Sequence, residues 1–115
     1  MPRDNDLKTS WYYVLLTLAA EPRHGLEIAR EVASLSHGRV RLWPAALYGT
    51  IETLADRGWI EELIDDARRP ADASNRRRIF AMTAAGRSAL RAETRRLEDL
   101  VRMARSLDNR KRGRA

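Results

Sequence analysis

Two stretches of the chain hold arginines with no carboxylate beside them. His37 to Thr50 carries Arg39 and Arg41, and Asn75 to Ala92 carries Arg76, Arg77, Arg78, Arg87 and Arg91, with no Asp or Glu in either. A guanidinium is always charged and offers a planar fork of donors that fits phosphate oxygens. Clusters of this kind suit a polyanion, and binding through them falls with salt as counterions are released. Taken alone, such runs fit a solvated surface about as well. Their position in the fold therefore decides what they do.

Other chemistries find little support. Cysteine is absent, which excludes disulfides and thiolate metal sites. His24 and His37 stand alone without a spaced partner, so a helix-end or surface role outweighs metal ligation. Asp65-Asp66 reads as solvated loop rather than a cation pair. No Ser–His–Asp or Cys–His arrangement and no Gly-rich phosphate loop is present. The expectation is a protein that is not an enzyme, with no cofactor, no catalytic residue and no metal. The missing cysteines fit a reducing cytosol. Met1 to Ser10 is polar, unlike a signal peptide, and no apolar run approaches the ~20 residues of a membrane span. A cytoplasmic location without membrane contact is expected. The chain has 115 residues, with 22 Lys and Arg against 16 Asp and Glu, for a net charge of +6. That is one domain's length, and domains this small often gain stability by pairing.

The elements that must place the arginines follow from periodicity. Leu7 to Ala20 carries two helical stripes, one of Leu7, Trp11, Val14 and Leu18 and one of Tyr12, Leu16 and Ala19. A helix apolar on two sides needs two covers, its own core and potentially a partner subunit. Pro22 breaks it, and a second helix runs from about His24 to Leu35 with His37-Gly38 as its stop. Arg39 to Leu42 alternates charged and apolar residues, as a short strand or extended lead-in would. Pro44 opens a third helix with a Leu47, Ile51 and Leu54 stripe, closed by Gly58. Trp59 to Ile64 and Arg77 to Met82 read as two strands around a polar loop containing Pro70. Thr83 caps a last helix whose Leu90, Leu97, Leu100, Ala104 and Leu107 approach an a/d seam.

Three helices, a hairpin and a long helix make a mainly α chain with a small β-hairpin wing: a winged helix-turn-helix with a C-terminal dimerisation helix. Residues 1–82 form the DNA-binding domain, 83–109 the dimerisation helix and 110–115 a basic, frayed tail. In this plan the third helix enters the major groove. The carboxylate-free stretches then fall on the lead-in to that helix and on the returning side of the wing, both facing the duplex. Arg39, Arg41, Arg76, Arg77 and Arg78 are the candidate phosphate contacts. Ala46, Gly49, Thr50 and Thr53 lie away from the core stripe and are small, so shape and positioning should carry more of recognition than a rich hydrogen-bond code. Thr50 and Thr53 can reach a phosphate or a thymine methyl. The seam of the last helix, with Trp11 and Tyr12 nearby, is too apolar to stay wet, and a homodimer is expected. Trp11 and Tyr12 are also the candidate contacts for a small hydrophobic or aromatic effector, although aromatics in such places are more often core or interface.

His24-Gly25-Leu26-Glu27-Ile28 after Pro22, Leu47-Tyr48 with Gly58-Trp59-Ile60, and Arg77-Arg78-Ile79-Phe80 with Met82-Thr83-Ala84-Ala85-Gly86 together resemble the PadR-like regulators, over about Val14 to Leu107. The single short C-terminal helix looks like the family's shorter subgroup. The resemblance implies a homodimer held by the first and last helices, a roughly palindromic operator in double-stranded DNA, and repression relieved by a ligand. It also implies that Tyr48 and the wing arginines touch the DNA backbone. Leu26, Trp43, Ala45 and Ala46 depart from the family pattern. Other readings are a MarR-type regulator, which is normally longer, and a winged-helix protein-interaction module that never grips DNA.

Overall fold

The computed structural model describes residues 7–63 and 78–113. Within them the order is α1 (Thr9–Leu18), β1 (Arg23–His24), α2 (Gly25–Leu35), α3 (Pro44–Asp56), β2 (Ile60–Leu63), β3 (Ile79–Met82) and α4 (Ala84–Gly113). The architecture is mainly helical with a small antiparallel sheet of order β1-β3-β2, a winged-helix plan.

Each helix boundary has a local cause. At α2, the His24 backbone N–H donates to Glu27 Oε1 at 2.9 Å while the His24 side chain accepts from the Glu27 backbone, a reciprocal capping box. Its far end closes with Gly38 N–H on Ala33 O and His37 N–H on Ser34 O, and both His37 and Gly38 have positive φ. The same pair of bonds closes α3: Trp59 N–H reaches Leu54 O, Gly58 N–H reaches Ala55 O, and Gly58 supplies the left-handed residue. Thr83 Oγ1 accepts the Gly86 N–H at 3.0 Å, as an N-cap should, and donates to Gly58 O at 2.6 Å.

Three segments differ from the sequence expectation. Of the two readings of 39–42, the strand does not form and the segment is a non-strand lead-in to α3. The buried Ser36 hydroxyl accepts the Val40 N–H at 2.9 Å and donates to Ala33 O or Val40 O, so Val40's backbone groups are already engaged in the turn. The additional strand instead lies before α2, where Arg23 and His24 pair with Phe80 and Ile79. Periodicity cannot show this, because a two-residue strand exists only where β3 comes alongside. Finally, α4 continues to Gly113, beyond the expected end at 109. The basic composition of 110–113 suggests fraying, yet Arg and Lys are good helix formers and nothing stops the helix before the glycine.

The core is one cluster. α1 supplies Trp11, Val14, Leu15 and Leu18, α2 supplies Ile28 and Val32, and α3 supplies Leu47, Ile51 and Leu54. Ile60 and Phe80 face it from the sheet, and Leu90 from the start of α4. Two arginines bind the open carbonyls at the end of α1: Arg23 Nε on Thr17 O at 2.6 Å and Arg87 on Ala19 O at 3.3 Å. α4 has 30 residues, about 45 Å of helix, in a molecule 67 × 27 × 27 Å. Past Leu97 it leaves the body, and Leu100, Val101, Met103 and Leu107 are exposed. Among the described residues no helix is long and apolar enough to cross a membrane.

Candidate nucleic-acid interface

α3 is anchored by one face and open on the other. Leu47, Ile51 and Leu54 are buried, which turns Ala45, Ala46 and Gly49 outward. Its N-terminus has Pro44 in the first turn, and Trp43 makes no side-chain cap bond, so the first N–H groups of the helix are not bound by a capping side chain. Thr50 is half-buried. Thr53 is also half-buried, and its hydroxyl donates back to Gly49 O at 3.0 Å.

Tyr48 lies at the side of α3, against the start of α2. A Cβ on Gly25 would stand 2.5 Å from the Tyr48 hydroxyl oxygen and 3.0 Å from its Cζ. Gly25 is therefore the seat of the Tyr48 ring, which links two motifs that are distant in sequence.

The arginines divide into occupied and available. Arg39 and Arg41 are exposed in the turn before α3, and neither side chain has an ion pair or hydrogen bond among the described residues. Arg78 is differently placed. Its Nε and Nη2 donate to the two oxygens of Glu62 at 2.9 and 2.7 Å, and its guanidinium lies 5.3 Å over the Phe80 ring. The hydrogen bonds that Arg78 donates to Glu62 raise the Arg78 pKa above its ordinary value, against a smaller opposing effect of burial. The returning strand lacks a carboxylate in sequence but has one in space, supplied by the strand opposite. Arg87 is likewise engaged, at the end of α1. Arg76 and Arg77 lie outside the described residues, as do Asp65 and Asp66.

A feature not anticipated from the sequence adjoins α3. An open groove of about 730 Å³ runs between α2 and the start of α3, walled by Leu26, Ala29, Leu42, Trp43 and Leu47, with Arg30 and Arg41 beside it. Arg30 joins the exposed cations through this groove. The signal available in sequence was the spacing of Leu26, Ala29, Arg30 and Ala33, which share one side of α2.

The residues expected at a subunit interface also separate. Trp11 and Leu90 are taken up by the chain's own core, where Trp11 meets Trp59 edge-on at 6.4 Å and carries Arg57 at 4.8 Å over its ring. Tyr12 is only half-buried and its hydroxyl is 2.8 Å from Thr94 Oγ1 on α4. Leu97, Leu100, Ala104 and Leu107 continue the Leu90 stripe outward; Leu97 is half-buried, and Leu100, Ala104 and Leu107 are exposed. Hollows of about 470 and 330 Å³ flank Tyr12 and Leu97.

The pattern of the transcriptional regulator PadR-like family matches residues 14–92. The chain belongs to the PadR-like family. The match runs from the second half of α1 through α2, α3 and the sheet to the first turns of α4. No curated protein matches the chain. Among solved structures, a PadR-like transcription factor from Bacteroides fragilis superposes with a TM-score of 0.65 at 18% identity, covering 84% of this chain and 87% of that one. A transcriptional regulator from Thermoplasma acidophilum gives 0.64 at 19% identity, with 85% and 88% covered. The zinc-responsive MarR family member ZitR of Lactococcus lactis gives 0.60 at 17% identity; 91% of this chain is covered but only 63% of that one. The winged-helix fold is thus shared with MarR-type regulators, while the family match is to PadR-like ones. Among the described residues no cluster of three potential metal-ligating side chains occurs.

Proposed function

We propose that this PadR-like protein is a transcriptional repressor that binds a roughly palindromic operator as a homodimer and is released by an effector. The observation that carries the DNA-binding reading is the outward face of α3: small side chains, an open helix N-terminus, and Arg39 and Arg41 exposed beside it without acidic partners among the described residues. A helix presented in this way can enter a major groove while the arginines hold the flanking phosphates. Tyr48 lies at the edge of this face and is the proposed backbone contact, with Thr50 and Thr53 nearer the bases. The wing contributes through Arg76, Arg77 and Arg78, although Glu62 offsets the charge of Arg78.

The homodimer is supported by the exposed stripe from Leu100 to Leu107, continuous with half-buried Leu97 and Tyr12. Pairing places two α3 helices in one assembly, which is why the operator is expected to be palindromic. An apolar or aromatic effector would meet Tyr12 and Leu97 in the hollows that flank them.

Titration of random-sequence duplex DNA with the purified protein over a salt series tests the reading. Affinity should fall steeply as salt rises, with log K linear in log salt. Binding of duplex that is absent at low salt would turn the reading toward a protein-interaction module.

A further inference from the structure

We infer that α3 reads its duplex through the 5-methyl groups of thymines, with Gly49 where the helix backbone comes closest to the bases and Trp43, Ala45 and Ala46 making the apolar contact. The inference rests on the DNA-binding reading and specifies the sequence class it selects.

Gly49 carries the first part of the argument. Glycine inside a helix is destabilising relative to alanine, so its presence needs a reason. Gly25 makes room for Tyr48, Gly86 for the Trp59 carbonyl, and Gly38 and Gly58 have positive φ. Gly113 stands at a helix end. Gly49 has none of these reasons. It is in mid-helix, its φ is ordinary, and a Cβ there would meet nothing within 4 Å. Among the described residues nothing requires the missing side chain, whereas a surface docking closely on α3 would.

The second part is the chemistry around it. From Trp43 to Gly49 the exposed residues are Trp43, Pro44, Ala45, Ala46 and Gly49. Of their side chains only the Trp43 indole N–H can hydrogen-bond a base edge. The Thr53 hydroxyl proton is already given to Gly49 O. The exposed carboxylates of α3, Glu52 and Asp56, are farther along, with Glu52 within electrostatic reach of Arg78. Trp43 is 69% exposed, a large and mostly open apolar surface.

A face so poor in donors and acceptors gains little from the polar edge of either an A·T or a G·C pair, so any preference must come from apolar contact. The apolar feature that a major groove offers is the thymine methyl. Gly49 lets the backbone approach, and the alanines and the indole then cover methyl groups.

The test uses the full chain and a pool of random-sequence duplexes, from which bound sequences are selected. The selected duplexes are then remade with uracil for thymine, which removes the methyl and keeps base pairing. Affinity should fall about fourfold for each contacted methyl removed. Trp43→Ala, at an exposed position, should lower affinity for the thymine duplex and reduce the thymine-to-uracil ratio. Gly49→Ala should raise the melting temperature of the free protein and weaken duplex binding on the order of tenfold. Equal affinity for thymine and uracil duplexes, or a Gly49→Ala protein that binds as well as the wild type, overturns the inference and leaves DNA binding standing. No duplex retained from the pool at low salt overturns the DNA-binding reading itself.

Discussion

Arg78 shows how a neighbour across a sheet changes what a side chain can do. Its guanidinium forms two hydrogen bonds with Glu62, and both side chains are about one-third exposed, at 33% and 35%. Solvent screens such a pair, so its net contribution is modest, at most about 1 kcal/mol. The raised pKa of Arg78 means that this stabilisation is fully present below the ordinary arginine range and is lost only as pH rises through the raised value. No change in stability between mildly acidic and mildly alkaline pH should come from Arg78. Glu62→Gln keeps the shape and removes the charge. It should cost little in thermal stability and increase the affinity for random-sequence duplex. If Arg78 then reaches a phosphate, the slope of log K against log salt should steepen by about one unit. An unchanged slope in a salt titration would keep Arg78 as a strut of the wing and leave phosphate contact to other arginines.

The elements meet at a junction that one glycine makes possible. The end of α3, the start of β2 and the first turn of α4 converge where Thr83 bonds Gly58 O and its N–H bonds Trp59 O. Gly86 lies under the Trp59 carbonyl, and a Cβ there would overlap that backbone and come within 2.9 Å of Met82 Cγ. Backbone cannot swing aside as a flexible side chain can, so the strand or the helix must move. Gly86→Ala should destabilise the protein by about 1–3 kcal/mol, in the range of overpacked sites. Thermal unfolding followed by circular dichroism should show a fall of several degrees or more. A melting temperature equal to that of the wild type would mean that the junction is looser than its geometry.

For the whole molecule, the distribution of apolar surface matters most. The packed body ends near Leu97, while α4 runs on to Gly113 with Leu100, Val101, Met103 and Leu107 in solvent. A lone helix with this stripe gains little from its own propensity and is better stabilised by packing against another element. The proposed second copy supplies it. Leu100→Glu with Leu107→Glu should abolish the dimer and leave the winged-helix body folded, because neither residue belongs to the core cluster. Sedimentation should give a monomer with native helical signal, and DNA affinity should drop sharply because two half-sites are no longer bound together. A dimer unchanged by both substitutions would place the subunit contact elsewhere.

What the sequence determined by itself is what depends on neighbours along the chain. The α3 start at Pro44, its end at Gly58, the Thr83 cap and the core stripe of Leu47, Ile51 and Leu54 all follow from local chemistry. The motif order was enough to identify the family. Tertiary structure decided which charges are free and which apolar residues are covered. Arg78 and Arg87 read as available cations until Glu62 and the end of α1 were brought beside them. Trp11 and Leu90 read as interface until Trp59 and the core took them in. The β1 strand and the seat of Tyr48 on Gly25 depend on segments distant in sequence. Periodicity reports which face of an element is apolar. Only packing reports what lies against that face, because burial and charge pairing are properties of contacts between elements.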